Sequence, residues 1–260
     1  MIRPLLLLLL QCLVFQVLPA SAAAGGAGPV TVAAASDLKF ALDEIAGAYA
    51  RSTGQQVRIV YGSSGNIARQ IAQGAPYDLF LSADERFVED LARRGLTVDS
   101  GSLYAIGRLV LFAPQPGAFE PDEELVGLRA ALSAGTVRRF AIANPEHAPY
   151  GRAAREALQR AGLWETISGR LVLGENVSQA AQFAAGGNAQ GGIFALSLAM
   201  SPAVAARGRW VLLPDSLHAP LRQRMVLLRR AGPAARAFHD HLLQPEARRI
   251  LQRHGFTIPD

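Results

Sequence analysis

The sequence predicts an α/β fold of two lobes, each a mostly parallel sheet flanked by helices. Three observations predict it. Strand-like and helix-like patterns alternate with short breaks, which is the signature of βαβ units. The alternation runs once, is interrupted by a Pro- and Gly-bearing stretch at 114–121, and then begins again. A chain of 260 residues carrying two such sets fits two small lobes better than one large sheet.

Pro29 to Ala34 reads as a first buried strand. A helical face follows at Leu38, Ala41, Ile45 and Tyr49, ended by Gly54. Gln56 to Tyr61 alternates like a second strand, and Ile67, Ala68 and Ile71 recur at helical spacing up to Gly74. Asp78 to Ser82 is a third strand, Arg86 to Arg94 a third helix, and Arg108 to Ala113 a strongly apolar strand. In the second set, Phe140 to Ala143, Leu171 to Leu173, Gly192 to Leu196 and Trp210 to Leu213 read as strands, with helices over 153–162 and 178–185. Met225 to Leu228 is a last strand, and helices close the chain from Pro233 to His254. The chain is expected to cross between lobes near Ala105 to Leu109 and again near His218 to Gln223. The division is then residues 29–105 for the first part of lobe I, 106–217 for lobe II, and 218–260 for the return to lobe I with the C-terminal helices.

Residues 1–22 have the layout of a cleaved secretory signal. Arg3 gives a positive start, Leu5 to Val17 is apolar apart from Gln11 and Gln16, and Ala20-Ser21-Ala22 puts small residues at the cleavage position. The apolar run is shorter than the ~20 residues of a membrane span. Cys12, the only cysteine, lies mid-run, which argues against lipidation. The processed chain would hold no disulfide, thiolate metal site or cysteine nucleophile. The formal net charge is +5, of which Arg3 contributes one, and Lys39 is the only lysine. The arginines are scattered and no basic block interleaves with aromatics, so nucleic acid is not an expected partner.

Chemistry is concentrated at four strand-to-helix turns: Ala35-Ser36-Asp37, Gly62 to Asn66, Ala148 to Gly151, and Glu175 to Ser178. A helix start has about four N–H groups without intrahelical partners and a partial positive charge. Several starts aimed at one cleft would hold an anion with no charged side chain. Taken singly, each turn also reads as ordinary N-capping. Enzyme motifs are weak: Gly62-Ser63-Ser64-Gly65 is not G-x-S-x-G, there is no G-x-x-x-x-G-K, and the glycine pairs at 186–187 and 191–192 lack dinucleotide spacing. His239-Asp240-His241 is the only close histidine pair, and residues two apart on a helix diverge.

The combined motifs resemble the periplasmic molybdate-binding proteins of ABC-type importers, a group of type II solute-binding proteins. The matching stretches are Ala33 to Ser36, Gly62 to Gly65, Ala68 to Ile71, Gly74 to Asp84, Asn144 to Gly151, Gly174 to Val177 and Gly255 to Ile258. They run in order along almost the whole processed chain. The resemblance implies a hinged, two-lobed periplasmic binding protein with an oxyanion in the interlobe cleft. By motif match, Ser36 and Ser64 would donate hydroxyl and backbone N–H from lobe I, and Tyr150 and Val177 backbone N–H from lobe II. The implied ligand is molybdate or tungstate, with sulfate or another tetrahedral anion as the alternative. No cofactor and no side-chain-coordinated metal is expected, and the implied partner is an inner-membrane ABC permease served by a monomer. The sequence departs from some relatives where Ala195 stands in place of a ligand tyrosine, a role Tyr150 could take instead. Asp37 is left out of the site, because a carboxylate turned inward would repel an anion, and Arg69 and Arg152 are expected to point to solvent. A secreted α/β hydrolase using Ser64 or Ser63 with a distant histidine is the alternative of a different class.

Overall fold

The computed structural model describes residues 29–259, so the expected signal at 1–22 lies outside the described part. In lobe I, the chain begins with β1 (Val30–Ala35), a 3-10 turn (Ser36–Leu38) and α1 (Lys39–Thr53). It continues through β2 (Val57–Gly62), α2 (Ser64–Ala72), β3 (Leu79–Ser82), α3 (Glu85–Arg93) and β4 (Ser102–Gly107). Lobe II holds β5 (Leu109–Pro114), α4 (Val126–Ser133), β6 (Phe140–Ala143), α5 (Pro149–Arg160), α6 (Trp164–Ile167) and β7 (Leu171–Gly174). Then follow α7 (Val177–Ala185), β8 (Gly192–Ala195), α8 (Leu196–Ala199), α9 (Pro202–Ala205) and β9 (Gly208–Leu212). β10 (Leu221–Leu227), α10 (Pro233–Leu242) and α11 (Pro245–Arg253) return to the first lobe.

Two five-stranded sheets result, in the orders β2-β1-β3-β10-β4 and β7-β6-β8-β5-β9. β1, β2 and β3 pair parallel, while β10 runs against both its neighbours. In the second sheet β6 pairs parallel with β7 and β8, and β5 is the reversed strand. Each sheet therefore has four strands in one direction and one against them. The reversed strand is the one that arrives from the other lobe. Only Arg108 separates β4 from β5, and an ion pair between Arg108 Nε and Asp215 at 3.0 Å ties this crossing to the second one.

The packing follows from the strand patterns. β1, β3, β5, β6 and β8 are covered on both faces, which is why they read as apolar runs rather than alternating ones. β2 is a half-exposed edge. Helix α1 buries Ala41, Leu42, Ile45 and Tyr49, and stops where Gly54 takes φ +73° and its N–H reaches the Ala50 carbonyl. One apolar core fills lobe II, and two cores lie on the faces of the lobe I sheet.

The strand orders place the site. β1 lies between β2 and β3, and β6 between β7 and β8. Chain leaving the C-terminal end of a strand at such a branch point diverges from its neighbour and leaves a crevice. Both lobes have one, and the turns that leave these strand ends meet across the cleft.

Candidate oxyanion site between the lobes

A small cavity lies where the turns meet. Ala35 to Asp37 after β1, Gly62 to Ser64 after β2 and Ala83 after β3 wall it from lobe I. Ala148 to Tyr150 after β6 and Val177 after β7 wall it from lobe II. Ser36, Ser64, Tyr150 and Val177 are thus brought to one cavity. Each is the first or second residue of its helix.

Side-chain caps are scarce at these helix starts. At the residues preceding the helices, Ala35, Ser63 and Ala148 supply no side-chain cap. Only Asn176 caps conventionally, accepting from Gln179 N at 3.1 Å. Three of the four helix starts therefore keep N–H groups that no cap takes up. No Lys, Arg or His lies in the wall.

The hydroxyls differ in what they offer. Ser64 Oγ accepts from Ala83 N at 2.9 Å, so its hydrogen is free to point into the cavity. Ser36 Oγ donates to Asn176 Oδ1 at 3.1 Å and accepts from Ser178 N at 3.3 Å, while Ser178 Oγ donates to the Ser36 carbonyl at 2.8 Å. Ser36 thereby links the lobes. The Tyr150 hydroxyl stands beside Asp37 and accepts from Gln223 Nε2 at 3.3 Å. Ala195 is fully buried opposite Leu109 in the second sheet and is not part of the wall.

Further contacts hold the rim. Gly65 N donates to the His147 carbonyl at 2.9 Å, and Ser63 Oγ meets His147 Nδ1 at 2.9 Å. Asn66 donates to Glu175, and Arg69 to Asn66. Arg152 is not directed to solvent as expected: its side chain is 21% exposed and bridges to the buried Asp84 of the opposite lobe and to Glu156. One turn of α5 carries it toward α3, whose cap Asp84 also pairs with Arg86.

Asp37, expected to lie apart from the site, is also part of the wall. It is fully buried in the wall, with Oδ2 accepting from Gln223 Nε2 at 2.6 Å. A 3-10 turn rotates successive side chains by about 120°, which takes Asp37 away from its neighbour Ser36 and toward the crossing strands. Tyr104 completes the group, donating to Gln223 Oε1 at 2.7 Å. Burial pushes the Asp37 carboxyl up to about 6, offset in part by hydrogen bonds from Gln223 and Tyr150. Burial, then the Asp37 charge, raises both phenols well above the ordinary tyrosine range. The alternating sequence pattern gave no sign of this buried group. Its one signal was an acidic residue at a turn beside a ligand-type serine.

Residues 30–257 match the bacterial extracellular solute-binding proteins along nearly the whole described chain. The chain belongs to that family. It is 36% identical over 240 residues to the molybdate-binding protein ModA of Azotobacter vinelandii, covering 91% of this chain and 93% of that one. It is 34% identical over 239 residues to ModA of Escherichia coli strain K12, covering 89% and 90%. The structure of the Azotobacter vinelandii periplasmic molybdate-binding protein matches with a TM-score of 0.81 at 33% identity, over 89% of this chain and all of that one. The sulfate-binding protein SubI of Mycobacterium tuberculosis, at 16% identity and a TM-score of 0.73, shares the fold.

Membership in a family of solute-binding proteins removes the hydrolase alternative. The geometry gives the physical reason. Ser64 Oγ is hydrogen-bonded to Ala83 N and to no histidine of the described residues. Ser63, His147 and Glu175 do line up, at 2.9 Å and 3.7 Å, but the alignment joins residues of different lobes and Glu175 is largely exposed. It is a contact between two surfaces, not a base oriented by a buried acid as in a hydrolytic triad.

Proposed function

We propose that this protein captures molybdate, or tungstate of the same charge and nearly the same shape, and delivers it to an ABC-type permease of the inner membrane. The observation that carries the reading is the convergence of four helix starts, two from each lobe and three of them without a side-chain cap, on one cavity without a basic side chain. The similarity to molybdate-binding proteins over most of both chains supports it. Ser64 supplies a free hydroxyl hydrogen, and Ser36, Tyr150 and Val177 supply N–H groups at helix starts. An unpaired buried dianion would be very costly. Several charge-assisted bonds of about 1.5–3 kcal/mol each, with the helix dipoles, offset that cost. The ligand is cargo, and the residues touch its oxygens rather than its metal. Residues 1–22 direct export and are then removed, leaving a periplasmic monomer.

The test is a melting and calorimetric screen of the processed protein against molybdate, tungstate, sulfate, phosphate and arsenate. A ligand that binds only the folded state raises the melting temperature in proportion to the logarithm of its excess over Kd. Large shifts with molybdate and tungstate alone are expected. A shift with sulfate or phosphate alone, or with none of the five, overturns the reading.

A further inference from the structure

Asp37 is the only charged group in the cavity wall, and nothing neutralises it. It is 1% exposed, Oδ2 is bonded to Gln223, and the buried Oδ1 has no hydrogen-bond partner. The elements around it bring no counter-charge. Tyr104 of β4 and Tyr150 of α5 are un-ionised phenols, and Arg152 of α5 is taken up by Asp84 and Glu156. β10 presents the Gln223 amide, while its Arg222 and Arg224 pair with Glu85 on α3. α7 and α8 contain no charged residue, and Lys39 of α1 is paired with Asp43 at the surface. An ionised carboxylate buried in this wall would be a like charge near the oxyanion with little water to screen it. A protonated one offers an O–H donor where the ionised form offers only lone pairs.

We propose that Asp37, buried in the cavity wall, carries a proton when the oxyanion is bound, so that capture takes one proton from solvent to form an O–H on Oδ1. The inference rests on the oxyanion reading above. No bond other than this O–H forms or breaks. Burial, opposed by the hydrogen bonds to the carboxyl, already raises it to about 6, and an anion in the cavity acts in the same direction. Near neutral pH the free protein is then mainly ionised at Asp37 and the complex is protonated. Each pH unit above the free carboxyl's value weakens binding about tenfold, because each binding event must collect one proton.

The experiment is calorimetric titration of the processed protein with molybdate from about pH 6 to about pH 8.5, in paired buffers of different ionisation enthalpy, for wild type and Asp37→Asn. Wild type should lose about tenfold in affinity per pH unit in the upper part of this range, with uptake of about one proton. Asp37→Asn keeps the shape and supplies an amide donor, so its affinity should be flat with pH and its proton uptake near zero. Saturable wild-type binding that is flat with pH and independent of buffer overturns the proposal, as does a slope that survives in Asp37→Asn. If the variant fails to fold, the wild-type slope and proton count decide alone. Absence of saturable binding at every pH overturns the functional reading, and this inference with it.

Discussion

Replacing Gly65 with alanine should uncouple closure from folding. A Cβ at this position would stand 2.6 Å from the His147 carbonyl oxygen and 3.1 Å from its Cα, both backbone atoms of the opposite lobe. The remaining neighbour is Phe87 Cζ at 3.1 Å, the far end of a side chain that can shift. Ordinary contact begins near 3.4 Å, so the lobes must withdraw by about 0.8 Å here. That stretches the Gly65 N to His147 O bond from 2.9 Å past hydrogen-bonding reach, and pulls on the 2.9 Å contact between Ser63 and His147. Two net hydrogen bonds of about 0.5–1.5 kcal/mol each give roughly 1–3 kcal/mol against the closed form, or about fivefold to about 150-fold weaker molybdate binding. Within lobe I nothing is lost, because Gly65 is the second residue of α2 and alanine is the better helix former by about 1 kcal/mol. The assay is titration calorimetry beside a melt without ligand. Weaker binding with an unchanged or slightly higher melting temperature is expected. Wild-type affinity in Gly65→Ala would refute the assignment of this contact to closure.

Three other outcomes follow from the site. Ser64→Ala should weaken molybdate binding about tenfold or more, the worth of one charge-assisted bond, as read by calorimetry. Arg69→Ala should change affinity little, whereas Arg152→Ala removes an ion pair between the lobes and should weaken binding several-fold; equal effects of the two would contradict the geometry. Asp37→Asn should raise ligand-free stability above about pH 4, with nearly the full gain reached by about pH 6. The folded carboxyl sits at about 6 against an ordinary 3.8, so the folded state holds the extra proton between these values and loses stability as pH rises through them. The gain should approach about 3 kcal/mol at neutral pH and vanish below about pH 4, measured by denaturant melts.

Much of the fold was legible because periodicity is a local signal. The face of α1 that Leu38, Ala41, Ile45 and Tyr49 announced is buried as read, and the apolar runs of β3, β5 and β6 are strands covered on both sides. β4 was not read as a strand, because Tyr104 and Ala105 are buried among half-covered neighbours and the pattern does not alternate. α4 was missed beside the proline-bearing loop. Its start is set by Asp122, whose carboxylate accepts from Val126 N and Gly127 N, a cap four residues upstream that no adjacent capping residue signals. The four site residues stood out because helix starts carry local turn chemistry. The partners of Arg152 and Asp37 are 68 and 186 residues away in sequence, and no local pattern reports contacts of that range.

Ser36 has a double attachment that bears on timing. It walls the cavity from lobe I, while its hydroxyl and carbonyl are fastened to Asn176 and Ser178 of lobe II. A residue of the cavity wall is thus also a clasp between the lobes. Under the oxyanion reading, the anion cannot leave at the rate its own hydrogen bonds would set, since that clasp and the His147 contacts must part first. Residence time then becomes a property of the protein's opening rather than of the ligand. A transporter that prises the lobes apart empties the cavity with no need to compete for the anion.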